Sequence, residues 1–119
     1  MAAMAPFGGG MGSSGQICGT LSGALAVIGF TQGKTDSQGH DHKLMWKLSH
    51  KMVMEFAEIC RPYGGTNCID IARVDWKDRK AVKQFYTDPD SKRKNCIKVV
   101  RETSKFLHTL ITKELSGQD

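Results

Sequence analysis

Apolar positions along this chain fall at helical rather than strand spacing. From about Lys43 to Cys60 they recur as Leu44, Leu48, Met52, Phe56 and Ile59, with Met45, Val53 and Cys60 widening the stripe. That is the 3.6-residue period of an amphipathic helix, and Pro62 ends it. A longer stripe of Cys96, Val99, Val100, Thr103, Phe106, Leu107, Leu110 and Ile111 predicts a helix that begins at the Asp88-Pro89 capping pair and reaches about Leu115. From about Gln16 to Phe30, small Gly19, Ser22, Gly23 and Ala26 lie beside Leu21, Leu25 and Ile28, a pattern that predicts a buried, closely packed helix. Thr66 is positioned to cap a short helix through Cys68, Ile69, Ile71 and Ala72, and another short helix is expected from Asp78 to Tyr86. No segment alternates with period two. The expected fold class is all-α, a small bundle of about four to five helices.

The segments between these stripes set the domain organisation. Residues 1–15 include the run Gly8-Gly9-Gly10-Met11-Gly12-Ser13-Ser14-Gly15, whose backbone entropy argues for a flexible Gly-rich N-terminal segment. Residues 16–115 then form a single helical domain, and 116–119 a tail. Thr31 to His40 reads as a polar linker and Tyr63-Gly64-Gly65 as a turn. A chain of 119 residues fits one such domain with a core of its own.

Charge narrows the choice of partners. Lys and Arg number 17 against 12 Asp and Glu, and the surplus gathers at Lys92, Arg93, Lys94, Lys98, Arg101 and Lys105. Their spacing places them on the wet side of the last helix, with no interleaved aromatic platform, so no nucleic-acid partner is expected. The longest apolar run, Ala24 to Phe30, is far short of the roughly 20 residues a spanning helix needs, so no membrane insertion is expected. Nor does a basic residue precede it in the first 15 positions, which points away from a secretory leader and towards a cytoplasmic protein.

The chemistry on offer is that of four cysteines, and no CxxC or CxxCH spacing occurs, which disfavours a zinc ribbon or c-type haem. Cys18 and Cys68 fall near expected helix starts, where unpaired N–H groups and the macrodipole favour a thiolate. Cys96 lies inside the last helix on its apolar stripe, as a resolving thiol or a co-ligand. Cys60, at the C-terminal end of its helix, is ranked a bystander. Cys18, Cys68 and Cys96 are therefore the candidate redox residues and equally the candidate ligands of a metal ion or iron–sulfur cluster. The Gly-rich loop, through Gly10, Gly12 and Gly19, is a candidate anion- or cofactor-binding cradle, although it matches neither GxGxxG nor a P-loop. His40-Asp41-His42 has metal-compatible residue types but lacks helical i, i+4 spacing.

Two blocks carry a family resemblance. Gly8-Gly9-Gly10-Met11-Gly12 followed by Cys18-Gly19-Thr20-Leu21-Ser22-Gly23 resembles the CGAxxG segment of the C-GCAxxG-C-C family, with Thr20 where the family usually has Ala. Phe56, then Tyr63-Gly64-Gly65-Thr66-Asn67-Cys68-Ile69-Asp70-Ile71, is similar to that family's Phe, Phe-Gly and Cys-x-x-Leu pattern, and Cys96 fits its final cysteine. The resemblance runs from about Pro6 to Leu110, and the family's first cysteine, upstream of the Gly-rich loop, has no counterpart in this sequence. It implies redox activity through cysteines, and the family includes domains resembling split-Soret cytochromes.

Three functions follow as expectations. The first is a thiol-based redox or electron-transfer accessory protein acting with a redox partner protein. The second is a metal or iron–sulfur protein using Cys18, Cys68 and Cys96. The third is a non-catalytic helical module, a homodimer through the Gly19, Ser22 and Gly23 face.

Overall fold

The computed structural model describes residues 2–33, 39–40 and 43–116, so part of the linker after Gly33, together with Asp41 and His42, lies outside the described residues. Among the described residues five α-helices follow one another: α1 (Gly19–Gln32), α2 (Met45–Ile59), α3 (Cys68–Ala72), α4 (Arg79–Thr87) and α5 (Arg93–Ser116). Short 3-10 helices at Ala2–Phe7 and Arg61–Tyr63 complete the set. Among the described residues no strand forms. The fold is an all-α bundle.

The main core lies where α1, α2 and α5 meet. Ile28 of α1, Leu48, Met52 and Phe56 of α2, Ile71 of α3 and Val99 of α5 are at most 1% exposed. Side chains of this kind each contribute about 1.5–3 kcal/mol on burial, which outweighs the weak propensity of the Gly-rich α1 for helix. A second, smaller cluster joins Cys68 and Ala72 to Val74 and Phe85, with Trp76 and Val82 against it. Cys96 packs against both clusters, at the seam between them.

Several boundaries differ from the sequence expectation. α1 starts at Gly19 with Cys18 as N-cap, because residues 8–16 are held in their own chain of hydrogen bonds, among them Gly15 N to Gly9 O at 3.0 Å and Gln16 N to Gly10 O at 3.0 Å. Asn67, not Thr66, caps α3, which makes Cys68 its first residue. Asp88-Pro89 opens no helix: Asp88 closes α4, its carboxylate accepts from Asp90 N at 2.9 Å, and α5 begins at Arg93. Val53 and Val100, placed on apolar stripes by spacing, are 39% and 48% exposed. In both helices the packed face is narrower than the apolar stripe. The cationic set from Lys92 to Lys105 is exposed throughout, as its spacing indicates.

Candidate functional site

One antiparallel bridge organises the site. Ile17 pairs with Asn67, Cys18 N donates to Thr66 O at 3.2 Å, and Cys68 N donates to Gln16 O at 2.5 Å. Cys18 and Cys68 are the next residues after this pair on their two segments. By the alternation of a bridge they fall on one side of it, at diagonal positions about 7–8 Å apart in an ideal ladder. Each then enters a helix, Cys18 as the N-cap of α1 and Cys68 as the first residue of α3. The bridge therefore sets two helix starts, each with a cysteine, beside one another.

α5 supplies the third thiol. Asn95 Nδ2 donates to Ile71 O at 3.2 Å, tying α5 to α3 one residue before Cys96. Cys18, Cys68 and Cys96 line one cavity of about 460 Å³. The Gly-rich loop closes part of it, and Gly10 is fitted most tightly. Its φ is +73°, and a Cβ there would lie 2.5 Å from Gln16 N and 2.7 Å from Cys68 Cβ. Of the other glycines proposed as a cradle, Gly19 lines the same cavity and Gly12 lines a different one, beside Asp75 and Lys77.

Aromatic side chains form the opposite wall. Trp76 donates its Nε1–H to Cys68 Sγ at 3.3 Å and meets Phe85 edge-on at 5.4 Å. Tyr86 stands beside both rings, and the Arg93 guanidinium lies over it at 5.3 Å from the ring centre. α4 is held in place for this by Asp78, whose Oδ1 accepts from Lys80 N and Ala81 N.

The thiols are electrostatically linked. Burial pushes the Cys96 thiol up to about 11, with negative charge at Cys18 and Cys68 adding to the rise and Arg93 opposing it. Burial also raises Cys68, the Trp76 hydrogen bond works against the rise, and charge at Cys18 reinforces it. Cys60 is pushed up to about 12 by burial, then by Cys18 and Asp70. Cys18 is the common neighbour of the other three. Cys60 does not line the cavity, yet its interaction with Cys18 and its place in the core that Cys18 packs against make it less remote than its position at a helix end suggests.

Among the described residues, no group of three or more His, Cys, Asp or Glu side chains is arranged to hold a metal ion. No described helix is long and apolar enough to cross a membrane. The small-residue face of α1 is divided: Gly19 faces Phe7 O, 3.1 Å from where a Cβ would stand, whereas Gly23 faces open space. Sequence reasoning missed Trp76, Tyr86 and Arg93. The available signal was a tryptophan in an otherwise polar turn, Asp75-Trp76-Lys77-Asp78, eight residues after Cys68.

The family model described as "Putative redox-active protein (C_GCAxxG_C_C)" matches residues 1–110. No curated protein and no solved structure matches the chain.

Proposed function

We propose, for a chain that belongs to the C-GCAxxG-C-C family of redox-active proteins, that this protein exchanges thiols for disulfides through Cys18 and Cys68, with Cys96 as the further thiol of the same cavity. The observation that carries this reading is the convergence of three cysteines, from the start of α1, the start of α3 and the body of α5, on one cavity. Cys18 is the attacking residue. It is more open than Cys68, it stands at the positive end of a 14-residue helix, and its thiol makes no capping hydrogen bond.

The step balances as a two-electron exchange. The Cys18 thiolate attacks one sulfur of a substrate disulfide, the substrate S–S bond breaks, and the first substrate thiolate leaves. Once Cys18 is held in the mixed disulfide it cannot ionise. The coulombic contribution that Cys18 adds to the burial-driven rise at Cys68 and Cys96 is then removed. Cys68, whose sulfur already accepts the Trp76 N–H, then ionises more readily and attacks Cys18 Sγ, releasing the second substrate thiolate. Two protein thiols become one protein disulfide, and one substrate disulfide becomes two thiols. A diagonal spacing of about 7–8 Å is longer than the roughly 4.4–6.8 Å a disulfide spans, so closure requires the start of α3 to move towards α1.

Brief treatment with a small disulfide, alkylation of the remaining thiols and peptide mapping test the reading. A Cys18–Cys68 crosslink with two equivalents of thiol consumed is expected, and Cys18→Ser abolishes it. Free alkylation of all four cysteines after the same treatment would refute it.

A further inference from the structure

We infer that the disulfide accepted by this site is a small aromatic or otherwise apolar molecule bearing a carboxylate or comparable anionic group. The inference rests on the exchange reading above and adds the substrate's class. Three observations point to it. The cavity volume, about 460 Å³, is within the range of small-molecule sites, about 300–1,000 Å³. Cys18, the thiol that meets the substrate, is partly exposed and lines this same cavity. The lining is largely apolar, with Trp76, Phe85, Tyr86, Ile97 and Val100, and thiols apart, Arg93 is the one acidic or basic side chain among its described residues.

Arg93 is well placed to choose the ligand's charge. Stacking over Tyr86 holds the guanidinium at the cavity edge and leaves its N–H donors available for a carboxylate. Gly19 and Thr20, in the first turn of α1, line the same cavity and bring further positive potential to it. An anionic group placed between these two features would hold the apolar body of the molecule against Trp76 and present its S–S bond to Cys18. The bonds made and broken are those of the exchange already given: two electrons pass from Cys18 and Cys68 to the substrate disulfide, which leaves as two thiols.

Two coloured disulfide probes separate the outcomes: dianionic dithiobis(nitrobenzoate) and uncharged dithiodipyridine. Each rate is normalised to that of N-acetylcysteine at the same pH, and the ratio of the anionic to the neutral probe is compared between proteins. Arg93→Gln is expected to lower that ratio about three- to ten-fold, the scale of one partly exposed charge contact, while Arg93→Lys keeps most of it. Added salt should shrink the wild-type ratio. Circular dichroism and melting of both variants verify that the fold is kept, as expected for a residue exposed on α5. Consumption of both probes with a ratio unchanged by Arg93→Gln overturns the anionic-substrate inference alone. Failure of both probes to form the Cys18–Cys68 crosslink overturns the exchange reading instead.

Discussion

Gly10 offers a demanding test of how the site is assembled. It has a positive φ, +73°, and the hydrogen at its Cα points at the backbone of Gln16 and at Cys68. Replacing it with Ala has two costs. A non-glycine residue in the left-handed region costs about 1–2 kcal/mol. The new methyl, 2.5–2.7 Å from backbone atoms of Gln16 and from Cys68 Cβ, must also force those atoms apart, at about 1–3 kcal/mol for an overpacked interior. The sum is about 2–5 kcal/mol. Gly12 separates the two terms, since its φ is +63° and no described residue stands within 4 Å of where its Cβ would be. Gly12→Ala should cost only the conformational part, about 1–2 kcal/mol. Gly23, within α1 with the same open surroundings, should gain about 0.5–1 kcal/mol on replacement by Ala. Urea unfolding of the three variants, with the alkylation rate of Cys68 followed in each, measures the series. Equal destabilisation by Gly10→Ala and Gly12→Ala would refute the claim that the Gly-rich loop is packed onto Cys68.

Two further outcomes are expected. Folded-state thiol values raised from 9.0 to about 12 at Cys60 and to about 11 at Cys96 mean that the unfolded chain loses these protons first, so stability is full below pH 9 and falls as pH rises towards 11–12. For the fully buried Cys60 the slope is at most about 1.4 kcal/mol per pH unit, and Cys60→Ala should flatten the alkaline limb of a stability–pH curve; an unchanged limb would remove Cys60 as its cause. Asp78→Ala removes the acceptor of two N–H groups at the start of α4 and should cost about 1 kcal/mol in denaturant unfolding, with faster alkylation of Cys68 as the aromatic wall loosens.

The helices themselves were legible in the amino-acid order because burial imposes a local period. Leu48, Met52 and Phe56 recur every four residues and all three are fully buried; the cations of the last helix are spaced for water and face it. Helix starts were less legible. Thr66, Asn67 and Asp88 all have capping chemistry, and which of them caps depends on hydrogen bonds made elsewhere: the Ile17–Asn67 bridge for α3, and the closure of α4 by Asp88. A propensity belongs to one residue, whereas a cap belongs to a geometry.

Sequence by itself determined that this is an all-α protein whose most reactive side chains are four cysteines, and it singled out Cys18, Cys68 and Cys96 as candidates, since periodicity and residue type are local properties. Only the tertiary structure decided that those three thiols share a cavity, that Trp76 donates to Cys68, that Arg93 sits over Tyr86, and that Cys60 lies within electrostatic reach of Cys18. These pairings join residues brought together by the bridge between Ile17 and Asn67 and by the packing of α3 against α5. Contacts of that kind depend on how helices cross in space, and no spacing along the chain encodes the crossing.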